Sequence, residues 1–176
     1  MRKNGEKKQL RILIIGLLCV LLAGAAAAFD GGEVPAGGAA YTLTDAAALL
    51  GKADSETAEL FSGGEAYWTE NHGTFLGRMY QTELYGQPVT LFTACGADGT
   101  VEAVNIRVTG DGERTAEELL SVWQDRATAF TGTAMRTAGT EAAPSYRWTA
   151  AEHICTLRLN SGVLTVGIHP AAGELR

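Results

Sequence analysis

Three cysteines and three histidines are spread thinly through the 176 residues, with no C-x-x-C pair and no repeated Cys/His spacing. A structural zinc site therefore has no ligand set here, and no metal or other cofactor is expected. Only Cys95 and Cys155 lie beyond the N-terminal apolar run, too few for a fold that depends on disulfides. A glycine loop long enough to cradle phosphates is also missing. The nearest stretch, "GDGER" at 110–114, reads as a turn leading into a helix.

Positive charge is scarce once the N-terminus is set aside. Residues 30–176 hold nine Lys and Arg against nineteen Asp and Glu. So acidic a domain lacks the electrostatic footprint for nucleic-acid backbones, and no nucleic-acid partner is expected. Direct binding of the domain to an anionic lipid surface is disfavoured for the same reason.

What the chain does contain is one long apolar run. "RILIIGLLCVLLAGAAAAF" (11–29) completes a basic flank, residues 1–11, that carries five Lys and Arg and the single acid Glu6. Basic flank, apolar run and polar exit form the pattern of a segment whose N-terminus stays in the cytoplasm. As a helix, residues 12–29 rise about 27 Å, just enough to cross the hydrocarbon core as a signal-anchor. The same run fits a cleaved signal peptide, with Ile12 to Leu22 as its apolar part and small-residue cut sites after Ala25, Ala27 or Ala28. Both outcomes stand, and both place the remainder outside the cytoplasm, as a single-pass membrane protein or a secreted one. Cys19 follows Leu17 and Leu18, where a lipobox has small residues, so it reads as a thiol packed among leucines. Residues 30–40, "DGGEVPAGGAA", read as a flexible linker. That leaves 41–176 as one extracytoplasmic domain, long enough to bury a core.

Its pattern predicts α+β. Thr44 can cap a short helix ending at Leu50 with Gly51 after it, and Asp54 can cap a second through Phe61. Leu49, Leu50, Leu60 and Phe61 are then the buried side of the pair. Three alternating segments follow over 74–110, divided at Gly86-Gln87 and Asp98-Gly99, with "EAYWTE" as a candidate extra strand. A two-residue Asp98-Gly99 loop sets Leu91 opposite Ile106 and Thr93 opposite Val104. A two-residue Gly86-Gln87 loop sets Leu84 opposite Val89. Both turns bury the same face, as a specified register requires. "RTAEELLSVWQDRATAF" is an amphipathic helix. Thr115 and Glu118 form its capping box, and Leu119, Leu120, Trp123, Ala127 and Phe130 its apolar stripe. "TGTAMRTAGTEAAP" reads as a loop. A short strand and a Ser161-Gly162 hairpin close the chain, with Leu159 facing Leu164 and Cys155 facing Ile168. Hairpins joined by one helix-sized crossover indicate an antiparallel sheet.

"TDAAALLG", a helix-sized piece, and strands with a "DGTV" hairpin resemble the small exported domains built like β-lactamase-inhibitor protein and the outer-membrane assembly lipoproteins. The likeness spans roughly Thr42 to Val108. It implies a helical pair packed on an antiparallel sheet, protein binding, and no catalysis. This chain departs from those domains by lacking a lipobox and by adding a long helix and a second group of strands. No functional residue carries over.

Candidate chemistry is sparse. Cys95 and Cys155 both fall on inner strand faces, either as reduced core thiols or as a disulfide joining the two groups of strands. His72 lies near Glu70, and His153 beside Glu152. An exported hydrolase would centre on Glu70 and His72, although acid–base catalysis needs such groups to converge on a nucleophile. The sheet's outer face carries Met79, Gln81, Phe92, Asn105, Arg107, Thr156, Arg158 and Thr165. Aromatic and Arg residues are enriched at binding hot spots, which makes this face the candidate contact surface for an exported protein or a wall component. The sequence thus favours a non-catalytic binding module. A hydrolase and an accessory subunit held in a membrane complex by an uncleaved anchor are the alternatives.

Overall fold

The computed structural model describes residues 41–70, 73–141 and 143–171, and the leader, the linker and His72 lie outside them. The described chain builds one eight-stranded antiparallel sheet with three helices, the α+β class expected from the hairpin pattern. Two short helices, α1 (Leu43–Ala47) and α2 (Asp54–Leu60), precede β1 (Glu65–Trp68), β2 (Phe75–Leu84), β3 (Gln87–Cys95) and β4 (Val101–Val108). Helix α3 (Leu120–Thr131) then leads to β5 (Arg136–Thr140), β6 (Ala143–Thr149), β7 (His153–Asn160) and β8 (Val163–Pro170). The spatial order is β1-β2-β3-β4-β8-β7-β6-β5. Each half is therefore helix followed by a four-strand meander, and the last strands of the two halves pair antiparallel at the centre.

Local chemistry sets the helix ends. Thr42 caps α1, and Asp45 returns a bond to the Thr42 amide, closing a capping box two residues before the expected cap at Thr44. Helix α2 starts at Asp54, but its cap position is Ala53, whose amide donates to Glu56 Oε2 at 2.9 Å. Leu60 is exposed, against the expectation that it helps bury the pair, whereas Leu49 is buried. In the second half Thr115 and Glu118 make the predicted reciprocal bonds, yet a turn intervenes before α3 begins at Leu120. Gly132, left-handed at φ 63°, ends that helix.

Two of the three hairpins differ from expectation at the turn. Tyr85 and Gly86, both left-handed, form the loop between β2 and β3, so Leu84 pairs with Gln87 and Tyr80 with Leu91. The predicted Gly86-Gln87 loop was displaced by one position, which slides the register by two and so leaves every side chain on its predicted face. Tyr85 tolerates its conformation because its amide donates to Tyr41 O and its hydroxyl accepts from Leu43 N at 3.0 Å. Between β3 and β4 the turn is one residue longer than predicted, closed by Gly96 N donating to Thr100 O. A bulge at Ala94/Cys95 absorbs the extra residue and restores Thr93 opposite Val104 and Leu91 opposite Ile106. The Ser161-Gly162 turn gives the predicted pairs, Leu159 with Leu164 and Cys155 with Ile168.

Strand β5 corrects the reading of 131–144 as loop. Its composition carries no strand signal and all five residues are exposed, but β6 offers a free ladder that Arg136 to Thr140 completes. The core lies between the helices and one sheet face. Tyr80, Leu91, Ile106, Val166 and Leu157 cross that face, and Leu43, Leu119, Trp123 and Trp148 fill the space above them. Trp123 donates to Gln87 Oε1, which also accepts from Arg126 at 2.8 Å. The Arg126 guanidinium lies over the Tyr85 and Trp123 rings, so this cation is held by the core edge.

Candidate functional site

The opposite face of the sheet is covered by none of the described helices, whose sheet contacts all fall on the core side. Cross-strand partners in an antiparallel sheet share a face, so the registers trace continuous rows over it. One row crosses all eight strands as Arg136, Arg147, Thr156, Gly167, Asn105, Phe92, Met79 and Glu65. The next row runs Ala138, Ser145, Arg158, Thr165, Arg107, Thr90 and Gln81. Met79, Gln81, Phe92, Asn105, Arg107, Thr156, Arg158 and Thr165 therefore lie together in two neighbouring rows, although some are several strands apart.

The face is not uniform. Phe92, the apolar centre suggested by the sequence, is only 6% exposed, with the Tyr67 ring edge-on against it at 6.4 Å. Asn105 is equally enclosed. The accessible groups lie to either side: Gln81, which accepts from Thr90 Oγ1 at 3.1 Å, and Arg158, Arg147 and Arg136 across the other half. At the centre Gly167 leaves a notch. A Cβ there would come 2.8 Å from Thr156 Oγ1, 3.2 Å from His169 Nε2 and 3.3 Å from Asn105 Oδ1. Three polar atoms thus converge over a residue with no side chain. The His169 imidazole is held below its ordinary pKa, mainly by burial and further by the Arg158 and Arg147 charges.

Arg136, Arg147, Gly167 and His169 were not named from the sequence. Arg136 sits on the strand read as loop, and Arg147 needs the β6–β7 register to be placed. The notch exists only because β4, β8 and β7 are neighbours, which hairpin arithmetic within each half does not reveal.

The other candidates do not assemble. Cys95 and Cys155 are both free thiols. With β4 and β8 between their strands, they are separated by about 14 Å at ~4.8 Å per strand, twice the reach of a disulfide. The bridge weighed from the sequence is therefore corrected to two separate core thiols. Burial pushes Cys155 up to about 12, and burial followed by the Asp54 carboxylate pushes Cys95 up to about 11, the opposite of an activated nucleophile. Glu70 is exposed, His72 lies outside the described residues, and His153 packs beside the Phe130 ring at 5.8 Å. A broad cleft of ≈ 780 Å³ lies by the β5–β6 hairpin, lined by Glu117, Leu120, Tyr146 and Leu159 among others. No group of three or more His, Cys, Asp or Glu able to hold a metal occurs among the described residues.

No protein-family profile, curated protein or solved structure matches the chain.

Proposed function

We propose that this protein is a non-catalytic binding module, carried across a membrane by residues 12–29 and docking an exported protein or a wall component on the open face of its sheet. One observation carries the reading: the uncovered face gathers the two rows from Gln81 and Met79 to Arg158 and Arg147 into one mixed polar and cationic surface. Arginine-bearing surfaces beside aromatic residues suit protein contacts. The high thiol pKa values and the scattered histidines give the hydrolase alternative no site to build on. The resemblance to exported inhibitor-like and assembly-lipoprotein domains points the same way.

The test is photo-crosslinking in cells that make the full chain, with a benzophenone side chain placed at Gln81, at Thr165, or at Glu59 on α2. A single discrete adduct from Gln81 and Thr165 that is absent from Glu59 is expected. Adducts from Glu59 alone would assign binding to the helical side and overturn the proposal.

A further inference from the structure

The open face has an electrostatic asymmetry that its partner must answer. Four arginines, Arg107, Arg136, Arg147 and Arg158, lie in its two central rows on β4 to β7, and neither row holds an Asp or Glu from β4 through to β5. This is half of the eight Lys and Arg in the described chain, drawn from a domain that is acidic in sum. Arg136 stands directly opposite Arg147, a like-charge pairing that costs stability in a sheet. Arg136, Arg147 and Arg158 make no ion pair among the described residues, where the salt bridges are Arg78–Asp54 and Arg114–Asp111. An arrangement that costs the isolated fold is expected to be offset by what binds there.

The notch supplies the second half of the argument. Arg158 and Arg107 flank Thr165 in the row beside Gly167, so their backbones stand roughly 10 Å apart across the notch. Arginine side chains from both strands can reach one planar anion between them, with bidentate geometry suited to a carboxylate. Thr156 Oγ1 lies at the floor and offers a hydroxyl proton.

We propose that the arginine-bearing half of this face docks an acidic segment of another polypeptide, one partner carboxylate seating over Gly167 between Arg107 and Arg158. The inference rests on the reading of the open face as a docking surface and names the chemistry of its occupant. Charge complementarity selects that occupant. A long polyanion such as a nucleic acid or a phosphate polymer extends past the patch into the field of an acidic domain, and is repelled there. A short acidic segment meets only the arginines, because screening confines their attraction to about 8–10 Å.

The experiment uses fluorescently labelled, end-blocked hexaglutamate titrated by anisotropy into the full chain in nonionic detergent, at low and at physiological salt. Saturable binding that weakens with salt is expected. R147Q/R158Q should weaken it at least tenfold and G167A several-fold, while R114Q, whose arginine is paired with Asp111, should leave it unchanged. All these variants are made on the surface or replace a strand glycine of ordinary φ, and a circular dichroism spectrum checks that each folds. Absence of binding overturns the proposal, as does binding that R147Q/R158Q does not weaken. Tenfold tighter binding of a hexaphosphate of equal charge reassigns the patch to phosphate polymers and overturns it too. Should crosslinking from Gln81 and Thr165 still capture one discrete partner while hexaglutamate fails, the docking surface stands and only its acidic occupant is refuted.

Discussion

Replacing Ile106 by alanine tests whether the two halves are one cooperative unit. Ile106 is fully buried and pairs with Val166 in the middle of the β4–β8 ladder that joins the meanders. Its cross-strand neighbours continue to Leu91 on one side and, through Val166, to Leu157 on the other. Truncation removes three buried carbons, worth about 2.4 kcal/mol at ~0.8 kcal/mol each. A cavity that the surrounding strands cannot close brings the total towards ~5 kcal/mol. At about 2–4 °C per kcal/mol for a chain of this size, the midpoint should fall by roughly 5–20 °C. Because the side chain touches both halves, the loss should appear in a single transition. Urea unfolding followed by far-UV circular dichroism and by tryptophan fluorescence separates the cases, since buried Trp148 belongs to the second half and half-exposed Trp68 to the first. Coincident midpoints shifted together are expected. Two separated transitions, or a loss below about 1 kcal/mol, would show that the halves fold independently and that the central ladder is not their joint core.

Three further outcomes follow from named groups. In native protein at pH 8 both Cys95 and Cys155 should resist a thiol reagent and release two equivalents only on denaturation, because their folded pKa values lie near 11 and 12. One equivalent or none in denaturant without reductant would contradict free thiols. Tyr85→Phe should cost about 1–3 kcal/mol by leaving the Leu43 amide without its acceptor, and an unchanged urea midpoint would remove that bond from the account. His169 resists protonation in the fold, so the unfolded chain binds the extra proton and stability falls as pH drops from above ~6.5. That loss ends once pH passes below the depressed native value. His169→Gln should flatten the slope between pH 7.5 and 5, and a parallel wild-type curve would sink the assignment.

The helix starts were legible because a Thr with an acid three residues on satisfies amide groups within four residues of chain, whatever lies elsewhere. Face assignment was legible for a related reason. A side-chain period of two survives an error of two in register, which is why Leu91, Ile106 and Cys155 were correctly placed inward although the β2–β3 loop was displaced. The exact turns were less legible: Tyr85 takes a left-handed conformation only because Tyr41, Leu43 and Arg126 hold it from distant parts of the chain.

Composition and periodicity by themselves determined an acidic α+β domain, its apolar leader, its inward and outward residues, and its lack of metal ligands. Tertiary structure alone decided that β4 pairs with β8, that an unpromising Thr/Gly stretch becomes edge strand β5, and that Phe92 is enclosed. It also decided that four arginines from separated segments share one surface around Gly167. The division has a physical cause. Alternation and capping act over a few residues and are written locally, whereas a surface assembled across strands depends on long-range pairing that no single segment encodes.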